Sequence, residues 1–197
     1  MTTVLELMGV AVMALLSENF ILVNSMGVGS RVRSLQEPMD ALRSGFCLTC
    51  VMVLGSLLSW PIDRFLLIRF RIQHYRLLIF ALLVPAIVGL LRFLLRTFIP
   101  ELGRRLDGNL AAVTGNMAAL GSALLISQRS MSFGAGLLFA FFGGVGATVA
   151  LVSFASLRQE VDLEHCPRSF RGLPIQLITA GLMALSLVGF YGLNFGR

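Results

Sequence analysis

The sequence predicts an all-α integral membrane protein of six transmembrane helices, on three observations. Apolar residues make up 56% of the 197-residue chain, and its mean hydropathy is +0.85. Charged residues are only 13%, about half the ~25% of a soluble domain. The apolar residues also fall in long runs, and six spans of ~20 residues would use ~120 residues and leave short loops. An ordinary soluble enzyme, a disordered chain and a free nucleic-acid binder are all excluded. Helices are the default in lipid because each satisfies its own backbone groups. A barrel would show short alternating strands instead.

The spans follow in order. Span 1 runs from about Val4 to Met26; no basic stretch precedes it, so it reads as a retained helix rather than a cleaved signal. Span 2 runs from about Leu42 to Trp60. Span 3 runs from about Leu77 to Leu95, with Arg92 in its last turn and Pro85 as an expected kink. Span 4 runs from about Asn109 to Ser127, span 5 from about Met131 to Leu157, and span 6 from about Leu173 to Phe195; the last two carry no charge before their ends. The chain reads as one transmembrane domain.

The net charge of +6 comes from 16 arginines, with no lysine, against 10 acids. The arginines lie between the apolar runs, where they set topology and meet lipid headgroups rather than nucleic acid. Six of them (Arg64, Arg69, Arg71, Arg76, Arg129, Arg197) fall on the side of the two termini. Ten (Arg31, Arg33, Arg43, Arg92, Arg96, Arg104, Arg105, Arg158, Arg168, Arg171) fall on the other. That excess places both termini outside the cytoplasm of a cell whose inner membrane the chain crosses several times.

A weak internal repeat runs through the chain. Ser17-Glu18-Asn19-Phe20 echoes Thr114-Gly115-Asn116-Met117, an offset of 97, and Thr49 to Ser56 echoes Thr148 to Ala155, an offset of 99. Three spans per half, about 1–97 and 98–197, would give the halves opposite topology, an arrangement that builds polar sites near the bilayer midplane. Glu18, Asn19, Thr114 and Asn116 are the candidates for that polar lining, since a carboxylate or amide within a span must face protein or water. Interhelical hydrogen bonding is the plainer use of the same residues.

Cys47-Leu48-Thr49-Cys50 puts two thiols on neighbouring positions of one helix face. No partner ligands accompany them, and Cys166 stands apart beside His165, so small apolar packing is the expected use. Gly134-Ala135-Gly136 and Gly143-Gly144-Val145-Gly146 lie in an apolar span and read as close helix packing, not phosphate loops. Glu160, Asp162 and Glu164 read as a solvated acidic loop. No catalytic group or metal set is visible.

The C-terminal stretch carries a resemblance. Pro167-Arg168-Ser169-Phe170-Arg171-Gly172 leads into Leu177-Ile178-Thr179-Ala180-Gly181-Leu182-Met183, and Gly189-Phe190-Tyr191-Gly192-Leu193 follows. With Asn19-Phe20-Ile21-Leu22-Val23, with Pro100, Leu102, Arg104 and Leu106, and with Asn116, Ala118, Leu120 and Gly121, the chain resembles the Rnf/Nqr membrane-subunit family. Within it, the resemblance is to the A subunits of Rnf electron-transport complexes and the similar E subunits of sodium-pumping Nqr complexes. It covers nearly the whole chain.

The resemblance implies six helices in two inverted halves and a sister subunit of similar fold and opposite orientation. It also implies a [2Fe–2S] cluster held between the two near the middle of the membrane, each giving two cysteines. Electrons would cross through that cluster, coupled to sodium or proton movement. By motif spacing the two cysteine positions fall at Gly29 and Met117, where this chain has no thiolate, the ligand such clusters chiefly need. Glu18 stands where the family motif has a polar amide.

The expected function is therefore a membrane subunit of an ion-translocating oxidoreductase, not catalytic alone, with any flavin or nucleotide chemistry on partner subunits. The alternative is a redox-silent paralogue, a small channel- or transporter-like protein using Glu18, Asn19 and Asn116.

Overall fold

The computed structural model describes residues 9–12, 14–15, 19–21, 38–98, 100–163 and 172–188. Among them every regular element is helical: α1 (Pro38–Pro61), α2 (Arg76–Phe98), α3 (Pro100–Thr114), α4 (Met117–Gln128), α5 (Phe133–Leu163) and α6 (Leu173–Val188). Among the described residues three stretches are long and apolar enough to cross a membrane: Pro38–Leu67, Gln73–Phe98 and Phe133–Glu160. Met117–Gln128 and Pro174–Leu187 are apolar but shorter. Span 1 is described only in part. Residues 9–12 are helical, residues 14–15 form a π turn, and Asn19 is out of the helix.

Helix α1 sits at the centre, packed chiefly against α5 and also against α4, α3 and α2. Its sequence shows why. Ala41, Ser44, Gly45, Leu48, Met52, Gly55, Ser56 and Ser59 are buried, three or four residues apart along one stripe. That stripe is mostly small, so neighbouring backbones approach closely, as helices in lipid require. Large side chains point the other way. Phe46 is 63% exposed, Leu82 of α2 74% and Leu185 of α6 68%. Such broad outward apolar surface suits lipid or another membrane chain, not water. Inside, Phe20 meets Phe139 edge to face at 5.7 Å, next to Leu48, Val51 and Met52.

Three boundaries differ from the sequence reading. Span 4 is not continuous. Helix α3 ends at Thr114, Asn116 is extended (φ −84°, ψ 116°), and α4 begins at Met117. The segment read as the third loop, from Pro100, is helical, and Arg92 lies inside α2, which runs on to Phe98. Proline at the first position of α3 supplies a helix-ready φ where no N–H is needed. Glu160 and Asp162 belong to the last turns of α5 rather than to a loop; Glu164 lies outside the described residues.

The loop read from Pro61 to Arg76 is also shorter than expected. Helix α1 runs through Pro61 and passes into a π-helical turn, Ile62–Leu67, in which Ile68 N donates to Asp63 O at 3.0 Å. Arg71 (φ 56°) turns the chain in the left-handed region, and Gln73–Tyr75 leads into α2. Asp63 and Arg76 then close this end, with Nε 2.8 Å from Oδ1. Trp60 Nε1 donates to Met131 O at 3.1 Å, so the turn before α5 lies at the same end of the bundle.

At the opposite end Asp107 of α3 clamps α2. Arg92 Nε donates to Oδ1 at 2.7 Å and Arg96 Nη2 to Oδ2 at 2.6 Å. Asp107 lies outside the three long apolar helices. The Arg92 hydrogen bond first, then that of Arg96, holds its carboxyl below the ordinary carboxylate value. A lowered folded pKa means the clamp's stabilisation is complete above the unfolded pKa, near 3.9, and is lost as pH falls through the lowered folded value. Wild type should therefore melt slightly above Asp107→Asn at pH 7, with the gap closing below about pH 4. The gap is small because both arginines meet solvent. A gap that widens on acidification would contradict the clamp.

Candidate functional site

Two asparagines make the same local hydrogen bond. Asn19 Oδ1 accepts from Ile21 N at 3.1 Å, and Asn116 Oδ1 accepts from Ala118 N at 2.9 Å. In each case the acceptor serves the N–H two residues on; at Asn116 this caps the start of α4. Both side chains are 3% exposed. Their remaining amide groups differ. Asn19 Nδ2 donates to Gly146 O of α5 at 2.9 Å, whereas Asn116 Nδ2 has no partner among the described residues.

Between these breaks α1 and α5 cross in a reciprocal contact. Thr49 and Thr148, 99 residues apart, approach to 3.3 Å through their hydroxyls. Each hydroxyl also donates to the carbonyl four residues back, Thr49 to Gly45 O and Thr148 to Gly144 O. Each threonine then lies over the other helix's glycine. A methyl on Gly45 would be 2.5 Å from Thr148 Cγ2, and one on Gly144 would be 2.8 Å from Thr49 Cα. A third close approach sits nearby, where a methyl on Gly146 would be 2.6 Å from Leu15 O. Close packing is thus the role of the Gly143 to Gly146 cluster, as its composition suggests. Gly134 has open space around it instead.

The sequence-predicted residues are placed unevenly. Asn19 lines a cavity of about 220 Å³ that also touches Gly146, Ser153, Met183 and Ser186. Thr114 is half-buried and donates to Leu110 O within its own helix. Asn116 is not among the residues lining that cavity, so the structure joins Asn19 to α5 and α6 and leaves Asn116 at the α3–α4 break. Glu18, Gly29 and Cys166 lie outside the described residues.

The two positions that the resemblance implies for [2Fe–2S] ligands, Gly29 and Met117, offer no thiolate. Met117 opens α4 and is 60% exposed, but offers only a neutral thioether. Glycine at position 29 has no side-chain donor at all. The thiols of Cys47 (3% exposed) and Cys50 (half-buried) belong to the packed stretch of α1. Among the described residues, no three of His, Cys, Asp and Glu gather closely enough to hold a metal ion.

The sequence reading missed the Asp63–Arg76 pair and the Asp107 clamp. Both join residues on different elements, 13 and 15 positions apart. An acid and an arginine bracketing a short break between apolar runs is a signal that could have found them.

Residues 7–194 match the family model described as "Rnf-Nqr subunit, membrane protein". A protein of Syntrophotalea carbinolica, named as the A component of an ion-translocating oxidoreductase complex, is 38% identical, over 91% of this chain and 93% of the relative. Proteins of the same name from Pectobacterium atrosepticum and Azoarcus sp. are 36% and 35% identical, each over 91% of this chain and 93% of the relative.

Proposed function

This chain belongs to the Rnf-Nqr family of membrane subunits, and on that premise we propose that it serves as the A-type membrane subunit of an ion-translocating oxidoreductase complex. The observation that carries the reading is the match across nearly the whole chain, at 38% identity, to relatives named as that component. Its chemistry is that of a scaffold in the membrane. The helices hold polar groups within an apolar bundle, and the reactions that load and unload electrons belong to partner subunits. The reading requires that the chain leave native membranes in company with those partners.

We further propose six helices in two inverted halves, about 1–97 and 98–197. Three features support this: the matching hydrogen bonds of Asn19 to Ile21 N and Asn116 to Ala118 N, the reciprocal seating of Thr49 on Gly144 and Thr148 on Gly45, and the common offset of 97 to 99 residues. Glu18, Asn19, Thr114 and Asn116 would form the polar lining near the midplane, as interrupted helices do in inverted-repeat proteins. The sister subunit would have a similar fold and opposite orientation. The arginine distribution supports an inner-membrane protein with both termini outside the cytoplasm.

One observation favours the second reading, a redox-silent paralogue acting as a small channel or transporter. Neither position implied for cluster ligation bears a thiolate, so the residues give this chain no electron carrier of its own at that interface.

A further inference from the structure

The α3–α4 break holds an amide donor that none of the described residues uses. Asn116 is only 3% exposed, and its Nδ2 is without a hydrogen-bond partner among the described residues. Its other hydrogen-bonding groups at the break are committed. Its N–H donates to Val113 O at 2.9 Å, and its Oδ1 accepts from Ala118 N at 2.9 Å. Rotating the amide to offer oxygen instead would give up that cap, so the free group is a donor, with two N–H bonds.

The same break is the start of a 12-residue helix. The first N–H groups of a helix have no partner within it and carry the positive end of its dipole. Ala118's is taken by Asn116, and the remaining N–H groups of the first turn lie beside the Asn116 amide. No ionisable side chain occurs from Gly108 to Gln128 to neutralise that positive end. Access is short, because Gly115 has open space beside it and Met117 is 60% exposed. The opposite break has no such spare donor, since Asn19 Nδ2 is spent on Gly146 O.

We propose that the α3–α4 break binds a small monovalent anion of chloride size, held by Asn116 Nδ2 and the N–H groups that open α4. The unpartnered amide N–H bonds and the positive end of the α4 dipole favour an anion over a cation. The site adjoins Met117, the position the resemblance implies for a cluster ligand, and the proposal rests on that position carrying no thiolate; because chloride binding is read directly, its failure would leave the oxidoreductase reading standing.

The test uses the full-length purified protein in nanodiscs. Chloride is titrated against gluconate at constant ionic strength, and binding is read from the ³⁵Cl NMR line width. Wild type should show saturable broadening. Asn116→Asp keeps an acceptor suited to the cap but replaces the donor by a negative charge, and Asn116→Ser keeps a cap without adding charge. Both should weaken binding at least tenfold while still melting cooperatively. No saturable broadening in wild type would overturn the proposal, which makes the test independent of how the variants fold. Unchanged affinity in Asn116→Ser and Asn116→Asp would overturn it too.

Discussion

Gly144→Ala should destabilise the protein by about 2–3 kcal/mol, the upper range for overpacking a tight contact. The added methyl would lie 2.8 Å from Thr49 Cα, which is backbone and has no rotamer to escape into. Relief requires α1 and α5 to separate, and with them the most extensive helix pairing in the molecule. Gly45→Ala meets Thr148 Cγ2, Oγ1 and Cβ at 2.5 to 2.7 Å, all of them side-chain atoms. The two therefore separate in a rescue experiment. Thr148→Gly should restore Gly45→Ala, whereas Thr49→Gly should leave Gly144→Ala unstable. Gly89→Ala, exposed on α2 with open space around it, should cost nothing. Thermal or denaturant unfolding in detergent measures all five variants. Equal stability of Gly144→Ala and Gly89→Ala would mean the helices do not cross where described.

Asp63→Ala should cost about 2–3 kcal/mol, somewhat less than breaking a fully buried ion pair, because both partners keep some contact with solvent. The two side chains are only 9% and 18% exposed, so the Arg76 guanidinium would be left largely out of water without its carboxylate. The pair also holds the π-helical turn against the start of α2, and losing it frees the chain reversal at Arg71. Removing both charges, as Asp63→Leu with Arg76→Met, should recover most of the loss, because no isolated charge then remains. The coupling is read as the difference between the double and single variants. Arg43 and Asp40 provide the contrast. They are 3.5 Å apart but 54% and 46% exposed, and removing either should cost less than about 1 kcal/mol. A cost that small for Asp63→Ala would show that water reaches the pair freely.

The apolar runs predicted α1, α2 and α5 closely because composition over ~20 residues is all that a membrane span requires. The breaks were harder to read. Hydropathy stays high across Gly115 and Asn116, and only a local hydrogen bond from Ala118 N to Asn116 decides that the helix stops there. The offset of 97 that links Asn19 and Asn116 is legible in the sequence, and each is buried with the same local hydrogen bond, but only Asn19 lines the cavity beside α5 and α6. The Thr49–Thr148 echo was legible for a similar reason, although the glycine beneath each threonine was not part of the repeat pattern. Helix α3 was hidden by its charges, because Glu101, Arg104, Arg105 and Asp107 look like loop residues until Asp107 is seen to face Arg92 and Arg96 on α2. The open space around Gly134 shows the limit of reading small residues as contacts, for the motif is the same with or without a neighbour to fill it.

The central claim, that this chain is one component of a larger ion-translocating oxidoreductase, is tested most directly by recovering it from its native membranes. The tagged full-length protein would be extracted in mild detergent and the chains leaving with it identified by mass spectrometry. The expected result is a second chain of the same family together with flavin- and iron–sulfur-bearing subunits, in fixed ratio. Recovery of this chain alone, or only as copies of itself, would contradict the claim and leave the redox-silent paralogue as the function of the fold.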